Sequence, residues 1–284
     1  MIVVTGATGK LGQHVIEGLL KSVPPAEIVA AVRTPEKAAD LAAKGVQVRQ
    51  ADYFQPASLG TAFAGADALL LISSSELRDR VSQHKTVIDA AKSAGVKLIA
   101  YTSLLRADTS TNSVLAPDHS ATEDYLRASG VPFVILRNGW YLENHTENLG
   151  PALEHGAILG AAKDGRFASA ARADYAAAAV AVLTGKGHEN KVYELGGDAP
   201  YTLTELAAEV TRQSGKTVIY QNLPEAEYEK TLESFGLPTA IAHMLADADR
   251  GASEGELDNP GSDMRTLIGR PTTSLAAAVT AALR

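Results

Sequence analysis

Seven short runs rich in Val and Ile, spaced along the first 200 residues, constrain this chain more than any other feature. They cover 2–5, 28–32, 46–50, 68–73, 96–102, 133–137 and 192–195. Runs that are apolar at successive positions suit strands buried on both faces of a parallel sheet. The segments between them read as helices. Leu11, Val15, Ile16, Leu19 and Leu20 recur at helical spacing, as do Val87, Ile88 and Ala91. Strand–helix alternation of this kind predicts right-handed βαβ units, hence an α/β fold of the Rossmann type with a doubly wound parallel sheet. Punctuation agrees. Thr34-Pro35 reads as an N-cap followed by proline. Gly45, Gly95 and Gly130 stand where left-handed C-caps are expected, each followed by Val.

The pattern changes after Leu195. Gly196-Gly197-Asp198-Ala199-Pro200 is a turn cluster. Beyond it, helices are expected over 204–214, 225–235, 239–249 and 274–283, a short strand over 217–220, and a polar loop over 251–262. The chain thus divides into a sheet domain over 1–195 and a smaller, mostly helical C-terminal lobe over 196–284, the lobe also receiving parts of 140–170. Asp174-Tyr175 is expected to open a helix running through the alanines to Leu183, its acid suiting an N-terminus.

Charge and composition exclude several classes. With 26 Lys+Arg against 33 Asp+Glu, the net charge of −7 argues against a nucleic-acid partner. Without cysteine there are no disulfides, thiolate metal sites or thiol nucleophiles. The seven histidines show no metal-ligand spacing, so no metal is expected. The longest aliphatic run, 176–183, is far short of the roughly 18 residues of a membrane span. The chain opens Met1-Ile2-Val3-Val4-Thr5-Gly6 with no basic leader or cleavage site, and a cytoplasmic location is expected. Oligomeric state, including a homo-oligomer, stays open.

Between the first strand and first helix lies Thr5-Gly6-Ala7-Thr8-Gly9-Lys10-Leu11-Gly12. The glycine spacing is GxxGxxG rather than GxGxxG, but the physics is shared: Gly6 permits the tight turn, Gly9 lets a pyrophosphate approach the backbone, and Gly12 lets the helix pack against the sheet. The helix start then offers free N–H groups and positive potential to the phosphates. About 20 residues on, where NAD binders place an acid for the ribose, this chain reads Ala30-Ala31-Val32-Arg33. A carboxylate there would repel a 2′-phosphate, whereas a guanidinium binds one. The expected cofactor is NADP(H), with Arg33 on the 2′-phosphate and Lys10 and Lys37 adding charge nearby. Asp52 and Tyr53 follow the third run and are placed to flank the adenine. Ser73, Ser74 and Ser75 end the fourth, where small hydroxyl residues allow close approach to the ribose.

Taken together, these residues resemble the NmrA-like, atypical branch of the short-chain dehydrogenase/reductases. The markers are the glycine loop, Val32-Arg33, Ala51-Asp52-Tyr53, Ala100-Tyr101-Thr102-Ser103 and Leu136-Arg137-Asn138-Gly139. Within the branch, Ser73-Ser74-Ser75, Arg137-Asn138-Gly139-Trp140-Tyr141-Leu142-Glu143-Asn144 and Ala173-Asp174-Tyr175-Ala176 resemble the bacterial quinone-reducing members and the related triphenylmethane dye reductases. The resemblance implies a Rossmann-type cofactor domain, a small C-terminal lobe and a substrate cleft between them. One departure from the wider superfamily matters. The Tyr-x-x-x-Lys acid pair is missing: none of the nine tyrosines has lysine four residues on.

Without that acid, an easy hydride acceptor is implied. Reducing a ketone makes an alkoxide that needs a positioned proton donor. Reducing a quinone makes a phenolate, and a phenol has a pKa of about 10, as tyrosine does, so water can protonate it. What remains is positioning. Trp140, Tyr141 and Tyr101 are candidates for an aromatic wall against a planar acceptor. Asn144 is placed to hydrogen-bond a quinone oxygen or the nicotinamide amide, and Asn138-Gly139 to line the nicotinamide ribose. His119 reads as a surface or capping histidine, with a distant proton source as its alternative, and Asp247 and Asp249 as solvated, with a paired-carboxylate role as theirs. The expected function is NADPH-dependent hydride transfer to a quinone without flavin. Two alternatives stay open: a non-enzymatic dinucleotide sensor, and a dye reductase.

Overall fold

In chain order the elements are β1 (Ile2–Thr5), α1 (Lys10–Leu19), β2 (Ile28–Val32), α2 (Ala39–Ala43), β3 (Gln47–Gln50), α3 (Pro56–Phe63), β4 (Ala68–Leu71), α4 (Arg80–Ser93), β5 (Leu98–Leu104), α5 (Ala116–Ala128) and β6 (Phe133–Asn138). They continue with α6 (Leu142–Thr146), α7 (Gly150–His155), β7 (Ala157–Gly160), α8 (Arg172–Thr184), β8 (Lys191–Leu195), α9 (Leu203–Ser214), β9 (Ile219–Asn222), α10 (Glu225–Ser234), α11 (Thr239–Ser253), α12 (Ser262–Ile268) and α13 (Leu275–Ala282). This computed structural model describes residues 1–259 and 261–284.

The chain forms two compact units. The first comprises 1–104, 118–138 and 172–193, and the second 105–117, 139–171 and 194–284. The chain therefore crosses from one unit to the other several times, the second unit taking 105–117 as well as 139–171.

In the first unit all seven apolar runs become strands of one sheet, ordered β3-β2-β1-β4-β5-β6-β8. The pairings from β3 to β6 are parallel. β2 and β4 are buried at every residue, as continuous apolar runs require, while the end strands β3 and β8 are partly exposed. The chain winds from β1 outward to β2 and β3, then returns to place β4 on the other side of β1. This reversal opens a crevice beyond the carboxyl ends of β1 and β4, where ligands of such sheets bind. Helix α1 packs on α8 at closest approach through Gly18, where a Cβ would stand 2.8 Å from Val180 Cγ2.

The C-cap glycines Gly45, Gly95 and Gly130 all have positive φ, and the valines after them are buried. Thr34 holds the N-cap position with Pro35 after it, but of a 3-10 turn, and its side chain makes no capping hydrogen bond.

The second unit carries a two-stranded parallel sheet, β7 on β9, with Ala157 opposite Ile219. Its core gathers Leu142, Phe167, Tyr201, Leu206 and Val210. The short elements α6, α7 and β7 have too few residues for periodicity to register. α11 runs on to Ser253, and α12 occupies a stretch after the expected loop. Of that loop, Pro260 lies outside the described residues. Among the described residues, no helix is long and apolar enough to cross a membrane.

Candidate active site

The glycine loop turns as its spacing predicts. Gly6 has φ +59°, and its carbonyl accepts the Gly9 N–H at 2.9 Å. Gly12 is required for a sharper reason than expected: a Cβ there would lie 2.3 Å from the Gly6 carbonyl oxygen and 2.7 Å from Ala7 Cα. It is the loop's own backbone, rather than the sheet, that the first turn of α1 must clear. Gly9 caps α1 without a side-chain hydrogen bond, and the first turn holds no acid. Its N–H groups are therefore directed at whatever occupies the crevice. Ala7 is buried, Thr8 half-buried, Lys10 exposed and Leu11 buried on the core face.

Sheet register brings the other cofactor candidates of this unit alongside. Thr5 stands opposite Ala31, so Arg33 leaves β2 beside the loop. Arg33 is exposed, and no hydrogen bond or ion pair holds its guanidinium among the described residues. Thr5 Oγ1 donates to the Leu70 carbonyl at 3.1 Å and accepts the Ile72 N–H at 3.1 Å, tying the end of β1 to the end of β4. The Tyr53 hydroxyl donates to the Ile72 carbonyl at 3.2 Å. Asp52 caps its own turn, accepting the Phe54 N–H at 3.0 Å. Phe54 itself, 59% exposed, was not singled out by the sequence.

Ser73, Ser74 and Ser75 lie on the loop leaving β4, and buried side chains hold two of their peptides. The Ser73 N–H donates to Thr102 Oγ1 at 2.8 Å, and the Ser74 N–H to His84 Nε2 at 2.9 Å. Arg80 Nε donates to the Ser74 carbonyl at 2.8 Å. Neither His84 nor Arg80 was legible from spacing, since both sit on α4 with no motif around them.

Two sequence expectations are corrected here. Tyr101 is not an aromatic wall: it is 0% exposed, its ring sits in the sheet core, and its hydroxyl meets His119 Nδ1 at 2.7 Å. His119 is not a surface residue but buried, and burial aided by Arg80 and His84 holds its pKa well below the ordinary 6.5. Burial, with Arg80 nearby, lowers His84 to about 3. Both imidazoles are neutral.

The inward face of α5, where short-chain enzymes carry their acid pair, is committed to packing. Glu123 is bidentate to Arg137, at 2.9 and 2.7 Å, and accepts from Ser103 at 2.6 Å and Arg127 at 3.1 Å. Asp118 pairs with Arg80 at 3.4 Å. Loss of one partner from the buried Glu123–Arg137 pair typically costs about 3–5 kcal/mol.

Asn138, buried, ends β6 in the first unit. In the second unit the Gly139 N–H donates to the Leu195 carbonyl at 2.9 Å. Trp140 and Tyr141 follow, both half-buried, with backbone bonds to Ala170 on either side: Ala170 N–H to the Trp140 carbonyl and Leu142 N–H to the Ala170 carbonyl. Asn144 is exposed on α6. Trp140 has His145 as a ring neighbour at 6.5 Å, and His145 in turn packs edge-on against Phe167 at 4.7 Å and bonds the Tyr201 hydroxyl at 2.8 Å. Burial lowers His145 to about 4, so it too is neutral.

Asp247 and Asp249 are buried, not solvated, at 2% and 5% exposure. Asp247 accepts the N–H groups of Ser113 and Val114 at 2.8 and 3.2 Å and pairs with Arg250. Asp249 accepts the Ala161 N–H at 2.8 Å, and burial raises its pKa from 3.8 to about 7. Asp174, in the first turn of α8, is also buried.

Comparison with known proteins agrees with this geometry. The profile of NAD(P)H-binding proteins matches residues 6–186. The chain is 58% identical over 279 residues to Quinone oxidoreductase 2 of Escherichia coli (strain K12), covering 98% of this chain and 97% of that protein. The crystal structure of the NADPH-dependent quinone oxidoreductase of Escherichia coli complexed with NADPH matches with a TM-score of 0.97 at 57% identity, over 100% of both chains. The Citrobacter sp. triphenylmethane reductase complexed with NADP(H) matches with a TM-score of 0.95 at 42% identity, over 99% of this chain and 100% of that one. An NmrA-like family domain-containing oxidoreductase of Aspergillus flavus is 28% identical over 94% of this chain and 90% of its own length. With its glycine cradle on the first βα turn and these matches along nearly its whole length, the chain belongs to the NmrA-like branch of the NAD(P)H-binding family.

Proposed function

We propose that this chain is an NADPH-dependent oxidoreductase that passes hydride directly to quinones, without flavin. The observation that carries the reading is α5: its inward face is filled by Glu123–Arg137, Asp118–Arg80 and His119–Tyr101, leaving no proton donor of the kind ketone reduction needs. The identity of 58% to a quinone oxidoreductase supports it.

The residues present fit the cofactor. The Gly6–Gly12 turn is so tight that a Cβ at Gly12 would strike the Gly6 carbonyl oxygen, no side chain caps the start of α1, and Arg33 is an exposed cation beside it. Loop and helix N–H groups hold the pyrophosphate, and Arg33 selects the 2′-phosphate. Tyr53 and Asp52 flank the adenine side, with Ser73–Ser75 and Asn138-Gly139 on the ribose and nicotinamide side. Bound NADPH supplies the hydride. Trp140 and Tyr141 offer flat apolar surface to a planar acceptor, and Asn144 donates to a quinone oxygen, favouring the negative charge that grows there. The product phenolate takes its proton from water. A chain without cysteine has no thiol for an electrophilic quinone to alkylate. A cytoplasmic setting is part of the same proposal, as is the absence of a nucleic-acid partner, which the net charge of −7 supports.

The test is NADPH oxidation followed by absorbance with 1,4-benzoquinone. Turnover is expected. Tight NADPH binding with no turnover of any acceptor would instead make the chain a dinucleotide sensor, and turnover of triphenylmethane dyes alone would move the substrate class.

A further inference from the structure

The loop leaving β4 is clamped from beneath by a set of side chains with no surface of their own to serve. Ser74 is held at both ends of its residue: its N–H reaches His84 Nε2 at 2.9 Å, and its carbonyl receives Arg80 Nε at 2.8 Å. Both side chains come from one face of α4, four residues apart, and His84 is 0% exposed. A backbone N–H can only donate, so His84 Nε2 carries no proton. The ring proton is therefore on Nδ1, where Thr122 Oγ1 stands at 3.0 Å and is free to accept, its own hydrogen going to the Asp118 carbonyl at 2.8 Å. His119 takes the opposite tautomer, with Nδ1 accepting from the Tyr101 hydroxyl at 2.7 Å. The Tyr101 hydroxyl oxygen stands 3.4 Å from His84 Nδ1 as a second, longer acceptor.

We infer that His84 is a positioning residue for the cofactor: it fixes the Ser74 peptide, and with it the backbone of Ser73–Ser75, in the geometry that meets NADPH. The assignment rests on the cofactor reading above. His84 touches neither cofactor nor acceptor and acts through the loop. Because burial and Arg80 keep it neutral, its acceptor persists through the whole working pH range. A neutral acceptor that cannot rotate suits a loop that must be rigid before the ligand arrives, since ordering it on binding would weaken affinity.

Three substitutions in the full-length chain separate positioning from packing. His84→Gln places an amide oxygen near Nε2 and keeps the acceptor. His84→Asn is too short to reach Ser74, and His84→Leu fills the space without an acceptor. NADPH affinity is read by fluorescence titration, and kcat and the benzoquinone KM are read at saturating NADPH. Asn and Leu are expected to weaken NADPH binding roughly tenfold. Their kcat and quinone KM should stay within about twofold of wild type, and Gln should recover most of the affinity. Equal losses in all three variants, a matching rise in quinone KM, or unchanged NADPH affinity would each overturn the assignment.

Should the variants not fold, the wild-type chain still decides. Nitrogen NMR should find the His84 ring protonated at Nδ1 alone, and hydrogen exchange should find the Ser74 amide protected in a half-exposed loop. A proton on Nε2 or a fast Ser74 amide would refute the clamp. A wild-type chain that fails to bind NADPH would instead sink the functional reading.

Discussion

Asp249 should make the second unit less stable as the solution becomes more basic. Its carboxyl lies buried on α11 with one backbone donor, the Ala161 N–H at 2.8 Å, and no cation facing it among the described contacts. Burial disfavours the charged form and raises the pKa from 3.8 to about 7. The folded chain thus holds this proton more tightly than the unfolded chain. The contribution to stability is complete below about pH 3.8, declines as pH rises, and is lost once pH passes about 7. A carboxyl held at about 7 against 3.8 corresponds to about 4 kcal/mol across the full range. Asp249→Asn keeps an oxygen for the Ala161 N–H and cannot ionise. Its fixed penalty, an amide NH2 in a buried site, is the same at every pH. The stability of the variant relative to wild type should therefore grow by about 2–3 kcal/mol between about pH 5 and about pH 8.5. Urea unfolding followed by Trp140 fluorescence suits this, since Trp140 is the only tryptophan and belongs to the same unit. Wild-type and variant stabilities that stay parallel between the two pH values would refute the argument.

Three further outcomes follow from the site. Arg33→Ala should raise the NADPH Kd by roughly tenfold or more while leaving NADH nearly unchanged, because only the 2′-phosphate loses a partner; equal losses for the two cofactors would sink the assignment. Gly12→Ala drives a Cβ to 2.3 Å from the Gly6 carbonyl oxygen, and the loop must move. Overpacking of about 1–3 kcal/mol predicts roughly 5- to 150-fold weaker NADPH binding by titration, and wild-type affinity would show that the loop yields freely. Asn144→Ala should lower benzoquinone turnover by about tenfold or more with NADPH binding intact, and wild-type turnover would remove Asn144 from the site.

How far the sequence reached depends on the range of the interactions involved. β2, β4 and the glycine joints were legible because strand burial and positive φ act over a few residues. The capping box of α9, in which Thr202 Oγ1 accepts the Glu205 N–H and Glu205 returns to the Thr202 N–H, is equally local and could have set that helix start. α6, α7, β7 and α12 escaped because none spans enough residues for a period to emerge. Tyr101, His119, Asp247 and Asp249 were misplaced for a different reason. A polar residue with no periodic neighbours gives no sign of whether a partner waits for it. Tyr101 and His119 are 18 positions apart, and Asp247 and Ser113 are 134 apart.

The sequence by itself determined the parallel sheet, the phosphate loop on its first turn, and the cation that stands where an acid would select NAD. These depend on the backbone freedom of glycine, on apolar spacing and on the sign of a charge, all of which are properties of adjacent residues. Only the tertiary structure decided that Gly12 is required by the loop's own carbonyl. It also decided that Tyr101 belongs to the core, that Asp249 is buried, and that His84 holds Ser74 from below. Those outcomes turn on which surfaces the fold closes against one another, and desolvation acts on a side chain only after that closure has occurred.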